Sequence, residues 1–120
     1  PDNPWLIDSS RPGDQCAPAA DQVVLWRPQA ETRERLSIRD GAGARARTTW
    51  RRGEETVAWP EALPPESGGD YKIRLSGTTA TRDVTLHVLP DDIDDDIRRA
   101  VWLAEQGCRE QARRLLGNLR

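Results

Sequence analysis

The chain has 120 residues, of which 32% are charged and 36% are hydrophobic, and its formal net charge is −2. This length allows one domain with one modest hydrophobic core. Modules that bind nucleic acid usually collect an excess of basic residues on one face, whereas the arginines of this chain are interleaved with acids along the sequence. We therefore expect no nucleic-acid partner.

The basic residues are almost entirely arginine, since Lys72 is the one lysine among 18 basic side chains. This bias, together with many alanines, glycines and prolines, is typical of a GC-rich bacterial genome. The chain begins with Pro1 rather than Met, and we expect it to be a segment of a longer protein. No apolar run approaches the roughly 20 residues that cross a bilayer, so we expect no direct membrane insertion.

Two cysteines, Cys16 and Cys108, lie near opposite ends of the chain, and neither has the cysteine or histidine neighbours of a zinc site. In an oxidising compartment they would form a disulfide, which the chain-entropy model values at about 4 to 5 kcal/mol. In the cytoplasm they would be two unrelated buried residues. We predict the disulfide, and with it a periplasmic or secreted location, either free or anchored through a segment outside this sequence.

The first 20 residues are expected to form an arm whose apolar patch, Trp5 to Ile7, could be an edge strand. Residues 21–90 are expected to form the main domain, because short apolar or alternating runs are separated there by turn residues. The predicted strands are residues 23–26, 34–40, 47–51, 56–59, 70–76 and 81–89. Six or seven short strands at this spacing indicate an antiparallel sandwich or barrel.

Residues 91–120 change to a helical period and are expected to form a hairpin of two helices packed on the strands. In the first helix the apolar positions are Ile93, Ile97, Ala100, Val101 and Ala104. Asp91 or Asp92 would cap this helix and Gly107 would end it, and a second helix would cover residues 109–116 before Gly117.

Residues 58–89 contain Trp-Pro, a proline-rich loop, Gly-Gly-Asp-Tyr, an alternating strand and a final Thr-Leu-His-Val strand. This stretch resembles the last strands of bacterial extracytoplasmic immunoglobulin-like modules. In such modules a tyrosine after a glycine-rich turn opens the penultimate strand, and Tyr71 fits that place. Both cysteines lie outside the predicted strands, unlike the usual cysteine pair of such sandwiches. The tail is similar to a single helical hairpin of the tetratricopeptide kind. The resemblance implies an α+β, mainly β fold: an antiparallel immunoglobulin-like β-sandwich followed by a C-terminal helical hairpin.

Candidate catalytic and metal-binding residues are few. The aspartates between residues 91 and 96 have the opening spacing of an EF-hand, but Ile97 and Leu103 stand where that loop needs Gly and Glu, so we interpret them as an acidic helix start. His87 is the one histidine and is expected to point outward from its strand, with no nucleophile motif beside it. We predict no metal, no cofactor and no enzyme activity, with a small hydrolase around His87 as an alternative.

Tryptophan offers the main candidates for binding. Trp26 and Trp59 are expected to anchor the core, while Trp50 and Arg52 are predicted to form a contact patch, with Trp5 as a further contact, because Trp and Arg are enriched at binding hot spots. The predicted function is a non-catalytic extracytoplasmic interaction or scaffold module of a larger bacterial envelope protein, with a protein partner. The alternative is a carbohydrate- or peptidoglycan-binding module that uses an exposed Trp50 or Trp5.

Overall fold

The computed structural model describes residues 2–119, so Pro1 and Arg120, the outer ends of the expected arm and hairpin, lie outside the described residues. The described chain forms eight strands and two helices. The strands are β1 (Ile7–Asp8), β2 (Gly13–Ala17), β3 (Val24–Trp26), β4 (Glu34–Asp40), β5 (Arg45–Trp50), β6 (Thr56–Ala58), β7 (Gly69–Leu75) and β8 (Arg82–Val88). The helices are α1 (Asp96–Glu105) and α2 (Arg109–Asn118).

The strands form two sheets that share one hydrophobic core. Three strands pair in the order β1-β3-β6, and five pair in the order β2-β8-β7-β4-β5. Alternate residues of β4, β7 and β8 point into the core, as their period of two predicts. The buried members include Leu36, Ile38, Ile73 and Leu86. The fold is therefore α+β with two sheets and a C-terminal pair of helices, in agreement with the coarse prediction.

The first 20 residues contribute a strand to each sheet, whereas an arm with one possible edge strand at Trp5 to Ile7 was expected there. β1 pairs in parallel with β3, and β2 pairs in parallel with β8 from Gly13–Val84 to Ala17–Val88. The sheets are thus mixed rather than purely antiparallel. Gly13, Asp14 and Gln15 have little intrinsic strand preference, so β2 depends on the free edge of β8, which supplies its hydrogen-bond partners.

The main core is built around two tryptophans and a tyrosine. Trp59 is buried, its indole Nε1 donates to the Leu63 carbonyl at 2.6 Å, and its ring meets that of Tyr71 edge-on at 4.9 Å. Trp50 is completely buried, with the guanidinium of Arg27 4.9 Å from its ring centre. Trp26, expected in the core, is only half-buried. The sequence analysis thus identified Trp59 correctly but assigned Trp50 and Trp26 to the wrong environments.

The helical hairpin is present, but α1 begins later than predicted. Asp95 rather than Asp91 or Asp92 is its N-cap, accepting a hydrogen bond from the Arg98 N–H at 2.8 Å. Ile97 and Val101 are exposed, because Ala100 and Leu103 form the buried side of this helix. No helix within residues 2–119 is long and apolar enough to span a membrane.

Of the two glycines that were predicted to end the helices, only Gly107 does so. Gly107 ends α1 as predicted and adopts a φ of 89°, a conformation that L side chains rarely adopt. Gly117, by contrast, lies within α2, which continues to Asn118. A glycine near a helix end is therefore a stop only where the backbone turns left-handed.

A disulfide joins β2 to the residue that precedes α2. Cys16 and Cys108 are bonded across a sequence separation of 92, which confirms the predicted pairing. Both are buried in a second, smaller apolar cluster with Ala100, Leu103, Ala112 and Leu115. Beside it, the amide of Gln111 accepts from the Cys16 N–H at 2.9 Å and donates to the Cys16 carbonyl at 2.7 Å. The hairpin is therefore held to the sheet by one covalent bond, one polar clamp and a small core.

Candidate anion-binding surface

Six basic side chains occupy the outer side of three strands in the five-stranded sheet. They are Arg35 and Arg39 on β4, Arg45 and Arg47 on β5, and Lys72 and Arg74 on β7. Their alternation with the buried residues of the same strands turns them away from the core. We call this set of six residues the basic face.

The strand order brings these residues together. β4 lies between β5 and β7, so Arg39 is directly opposite Arg45 on one side and Lys72 on the other. The six side chains, with the hydroxyls of Ser37, Ser76 and Thr81, line an open hollow of about 420 Å³. Among the described residues 2–119, no acidic side chain lines this hollow.

The positive charge of the basic face is largely uncompensated. Lys72 forms an ion pair with Asp83 at 2.7 Å, at the rim of the face. Within residues 2–119, none of the five arginines of the face forms an ion pair with a carboxylate. Because the whole chain has a net charge of −2, its other surfaces must carry a net negative charge. The molecule is therefore electrically polarised, which can steer a charged partner to one side of it.

Glu34, the acid next to Arg35 in the sequence, does not neutralise the basic face because it points to the other side of β4. Its carboxylate accepts hydrogen bonds from the Ser76 hydroxyl at 3.0 Å, the Thr32 hydroxyl at 3.1 Å and the Gly77 N–H. Partial burial acts to raise the pKa of Glu34, but these bonds and the nearby Arg27 charge together lower the pKa below its ordinary value. The ionised carboxylate of Glu34 thus connects the start of β4 to the turn between β7 and β8 through hydrogen bonds.

Arginine side chains give the basic face a defined chemistry. A guanidinium stays protonated and offers five N–H donors in a planar fork that matches carboxylate, sulfate and phosphate oxygens. It cannot serve as a base or a nucleophile under ordinary conditions. A cluster of such groups beside the hydroxyls of Ser37 and Thr81 is suited to binding oxyanions.

The predicted contact residues do not form one surface. Trp50 is 0% exposed and lies in the main core, so its indole is not available to stack on a sugar or a partner. Arg52 is exposed in the turn after β5 and is not among the residues that line the hollow. Trp5 is half-buried against the cluster around the disulfide. The prediction for Trp50 was wrong because its position on β5 points inward, beneath Arg27.

Arg27 explains why Trp50 is so well covered. Its side chain is 2% exposed, and it donates hydrogen bonds to the carbonyls of Arg51 at 2.9 Å and Glu54 at 3.2 Å, which hold the turn between β5 and β6. A cation over an indole face gains about 0.5 to 2 kcal/mol. The buried Arg27–Trp50 pair therefore has a structural role in the core.

His87 and the aspartates after β8 are also used within the fold. The side chain of His87 is 17% exposed rather than fully solvated, and its Nε2 lies 2.8 Å from Asp14 Oδ1 on the neighbouring strand β2. Asp95 caps α1 and Asp96 pairs with Arg99 at 3.0 Å. Across residues 2–119 no group of three potential ligands is arranged to hold a metal ion.

The sequence analysis did not identify the basic face, although four of its six residues lie at outward positions of predicted strands. In the predicted strands 34–40 and 70–76, the period of two places Arg35, Arg39, Lys72 and Arg74 on the side opposite the apolar residues. What the sequence did not show was that β4, β5 and β7 are neighbours. The acids that seemed interleaved along the chain, such as Glu34 and Asp83, project elsewhere or lie at the rim.

No known family model matches this chain, and no curated protein has a significantly similar sequence.

Proposed function

We propose that this chain is a non-catalytic, extracytoplasmic binding module of immunoglobulin-like fold that binds an acidic polysaccharide through its basic face. The observation that carries the proposal is the set of five arginines without acidic partners on adjacent strands. The sequence analysis predicted a protein partner, with glycan binding through an exposed Trp as the alternative; the mode proposed here binds a glycan through charge. The module would serve a larger bacterial envelope protein as its point of attachment to an anionic polymer.

The immunoglobulin-like assignment is supported by strand order. In variable-type immunoglobulin domains the last two strands, G and F, are followed in the sheet by C and C′, while B pairs with E. The order β8-β7-β4-β5 and the pair β3-β6 correspond to this arrangement. Tyr71 near the start of β7 accepts a hydrogen bond from the Glu66 N–H at 2.9 Å, five residues upstream, as in the tyrosine corner of that fold.

The location outside the cytoplasm is supported by the disulfide. Disulfides persist in secreted and periplasmic proteins and are rare in reducing cytosol. The Cys16–Cys108 bond is buried and ties the two ends of the described chain together. An extracytoplasmic module meets acidic glycans, whereas nucleic acid is chiefly inside the cell.

The composition of the basic face favours a polysaccharide over a protein partner. Cores of protein interfaces are depleted of charge and enriched in aromatic residues that fill pockets. In the part of the chain that the structure describes, the residues that line the hollow are arginine, lysine, serine and threonine, with no apolar or aromatic side chain. A linear polymer with repeated negative groups needs no apolar anchor, because its affinity comes from ion pairing and counterion release.

Binding to polymers of defined charge tests the proposal. We expect the wild-type protein to bind dextran sulfate and a polyuronate, but not neutral dextran, with an affinity that falls as salt rises from 50 to 200 mM, about the range over which such contacts weaken strongly. Fluorescence anisotropy of labelled polymers measures this. The double charge reversal Arg47→Glu/Arg74→Glu should lower the affinity at least about tenfold, since charged hydrogen bonds contribute roughly 1.5 to 3 kcal/mol each.

The matched control is Arg98→Glu/Arg109→Glu, which changes the net charge equally at two exposed arginines of the helices. We expect it to keep most of the wild-type affinity. Equal losses in the two double variants would show a nonspecific charge effect and overturn the proposal. Stronger binding to duplex DNA or to an acidic protein than to either acidic polysaccharide would also overturn it, in favour of that class of partner.

A further inference from the structure

The centre of the basic face is a short side chain surrounded by long ones. Ser37 on β4 is directly opposite Arg47 on β5 and Arg74 on β7. Neighbouring strands are about 4.8 Å apart, so both arginines start close to the serine. Arg35 and Arg39 flank Ser37 along β4, each two residues away on the same face, at about 7 Å.

This arrangement leaves room above Ser37 with positive charge on four sides. The serine and the four arginines all line the hollow of about 420 Å³. Ser37 is half-buried at its floor, whereas the four arginines around it are exposed. We call the space enclosed by Arg35, Arg39, Arg47 and Arg74 above Ser37 the Ser37 pocket.

The four guanidinium groups repel one another unless an anion lies between them. Arg47 and Arg74, which are opposite Ser37, are diagonal neighbours of Arg35 and Arg39 on β4. Diagonal positions lie about 7 to 8 Å apart, within the reach of long side chains, so these like charges repel one another. Arg74 Nε donates to the Thr78 carbonyl at 3.3 Å, a neutral partner that leaves the charge in place. An anion in the Ser37 pocket would offset this repulsion and accept hydrogen bonds from several sides.

We propose that the Ser37 pocket binds one tetrahedral oxyanion group, a phosphate or sulfate ester, carried by the acidic polysaccharide. This inference rests on the proposed function and specifies the charged group that it recognises. A carboxylate has two oxygens in one plane and is satisfied by one bidentate arginine. A phosphate or sulfate ester has three terminal oxygens pointing in different directions, which matches donors placed around it and a serine hydroxyl below.

The test separates filling of the Ser37 pocket from loss of charge. Ser37→Leu fills the pocket and leaves all six basic side chains in place, whereas Ser37→Ala keeps the pocket open. Inorganic phosphate is the probe, titrated against acetate at equal ionic strength, and the arginine Nε–H signals in NMR spectra report binding. Sulfate in a parallel titration distinguishes the two sources of a tetrahedral oxyanion.

For the wild-type protein we expect phosphate or sulfate to saturate the Arg47 and Arg74 signals at concentrations at least about tenfold lower than acetate. Ser37→Leu should abolish this preference, because its side chain fills the space between the arginines. Ser37→Ala should weaken phosphate binding only by about tenfold, the approximate effect of losing one hydrogen bond to a charged group. Thermal melts of both variants check that the fold is kept.

The outcomes distinguish this inference from the proposed function. If Ser37→Leu binds phosphate as the wild-type protein does, or if phosphate, sulfate and acetate bind alike, the pocket assignment is overturned. Polyuronate binding that still depends on Arg47 and Arg74 would in that case leave the proposed function standing. If the wild-type protein binds neither polymer nor phosphate, both are overturned.

Discussion

Removing the disulfide should cost this domain a large share of its stability. In the chain-entropy model a loop that spans the 92-residue separation of Cys16 and Cys108 restricts the unfolded chain by an amount worth about 4.6 kcal/mol at 25 °C. Domains of this size are stable by only about 5 to 15 kcal/mol. The double variant Cys16→Ala/Cys108→Ala should therefore be close to its unfolding threshold at 37 °C.

Urea unfolding, followed by tryptophan fluorescence and circular dichroism, measures this change. We expect the free energy of unfolding to fall by about 4 to 5 kcal/mol, with coincident transitions for both signals. The wild-type protein in reductant is the control and should lose a similar amount, because it lacks the same cross-link without any substitution.

Local undocking of the helices is the competing result. The hairpin is otherwise held to the sheet by the Gln111 clamp and the small cluster around the cysteines. If the double variant loses less than about 1 kcal/mol in the main transition while a separate early transition appears in the helical signal, the loop-entropy argument is refuted. The disulfide would then only secure the hairpin.

Two further predictions concern single side chains of the main domain. Because the pKa of Glu34 is lowered in the folded state, its carboxylate stabilises the fold above its ordinary pKa of 4.5, and this contribution is lost as the pH falls through the folded-state value. Glu34→Gln should therefore lower the stability at pH 7 and reduce its loss in acid, which thermal melts from pH 7 to about pH 3 would show. Tyr71→Phe removes the acceptor for the Glu66 N–H and should cost about 1 kcal/mol in urea unfolding.

A specific outcome would contradict each of these two predictions. An unchanged acid dependence in Glu34→Gln would mean that the bonds from Ser76 and Gly77 do not favour the ionised carboxylate. Stability of Tyr71→Phe equal to that of the wild-type protein would mean that water replaces the tyrosine hydroxyl as partner of the Glu66 N–H.

Local patterns in the sequence determined most of the secondary structure. The alternation of apolar and polar residues in 70–76 and 81–89 identified β7 and β8 and their buried faces. Successive side chains of a strand point to opposite sides of the sheet, so this alternation can be read from the sequence. The helical spacing of apolar residues predicted α2 but not its end, because α2 continues past Gly117 to Asn118. The widely spaced cysteines, with no metal-site spacing, were enough to predict their pairing.

Only the tertiary structure decided how the strands are arranged, and with it the candidate site. β2 exists because the edge of β8 accepts it, a pairing between residues about 70 positions apart that no local pattern records. Trp50 belongs to the core and not to a contact surface because Arg27, which follows β3, covers it. The basic face arises because β5, β4 and β7 lie side by side, which places arginines from distant parts of the chain around Ser37. Strand order depends on which segments pair within a sheet, and segments distant in the sequence can pair, so the charge pattern that it creates was not visible along the chain.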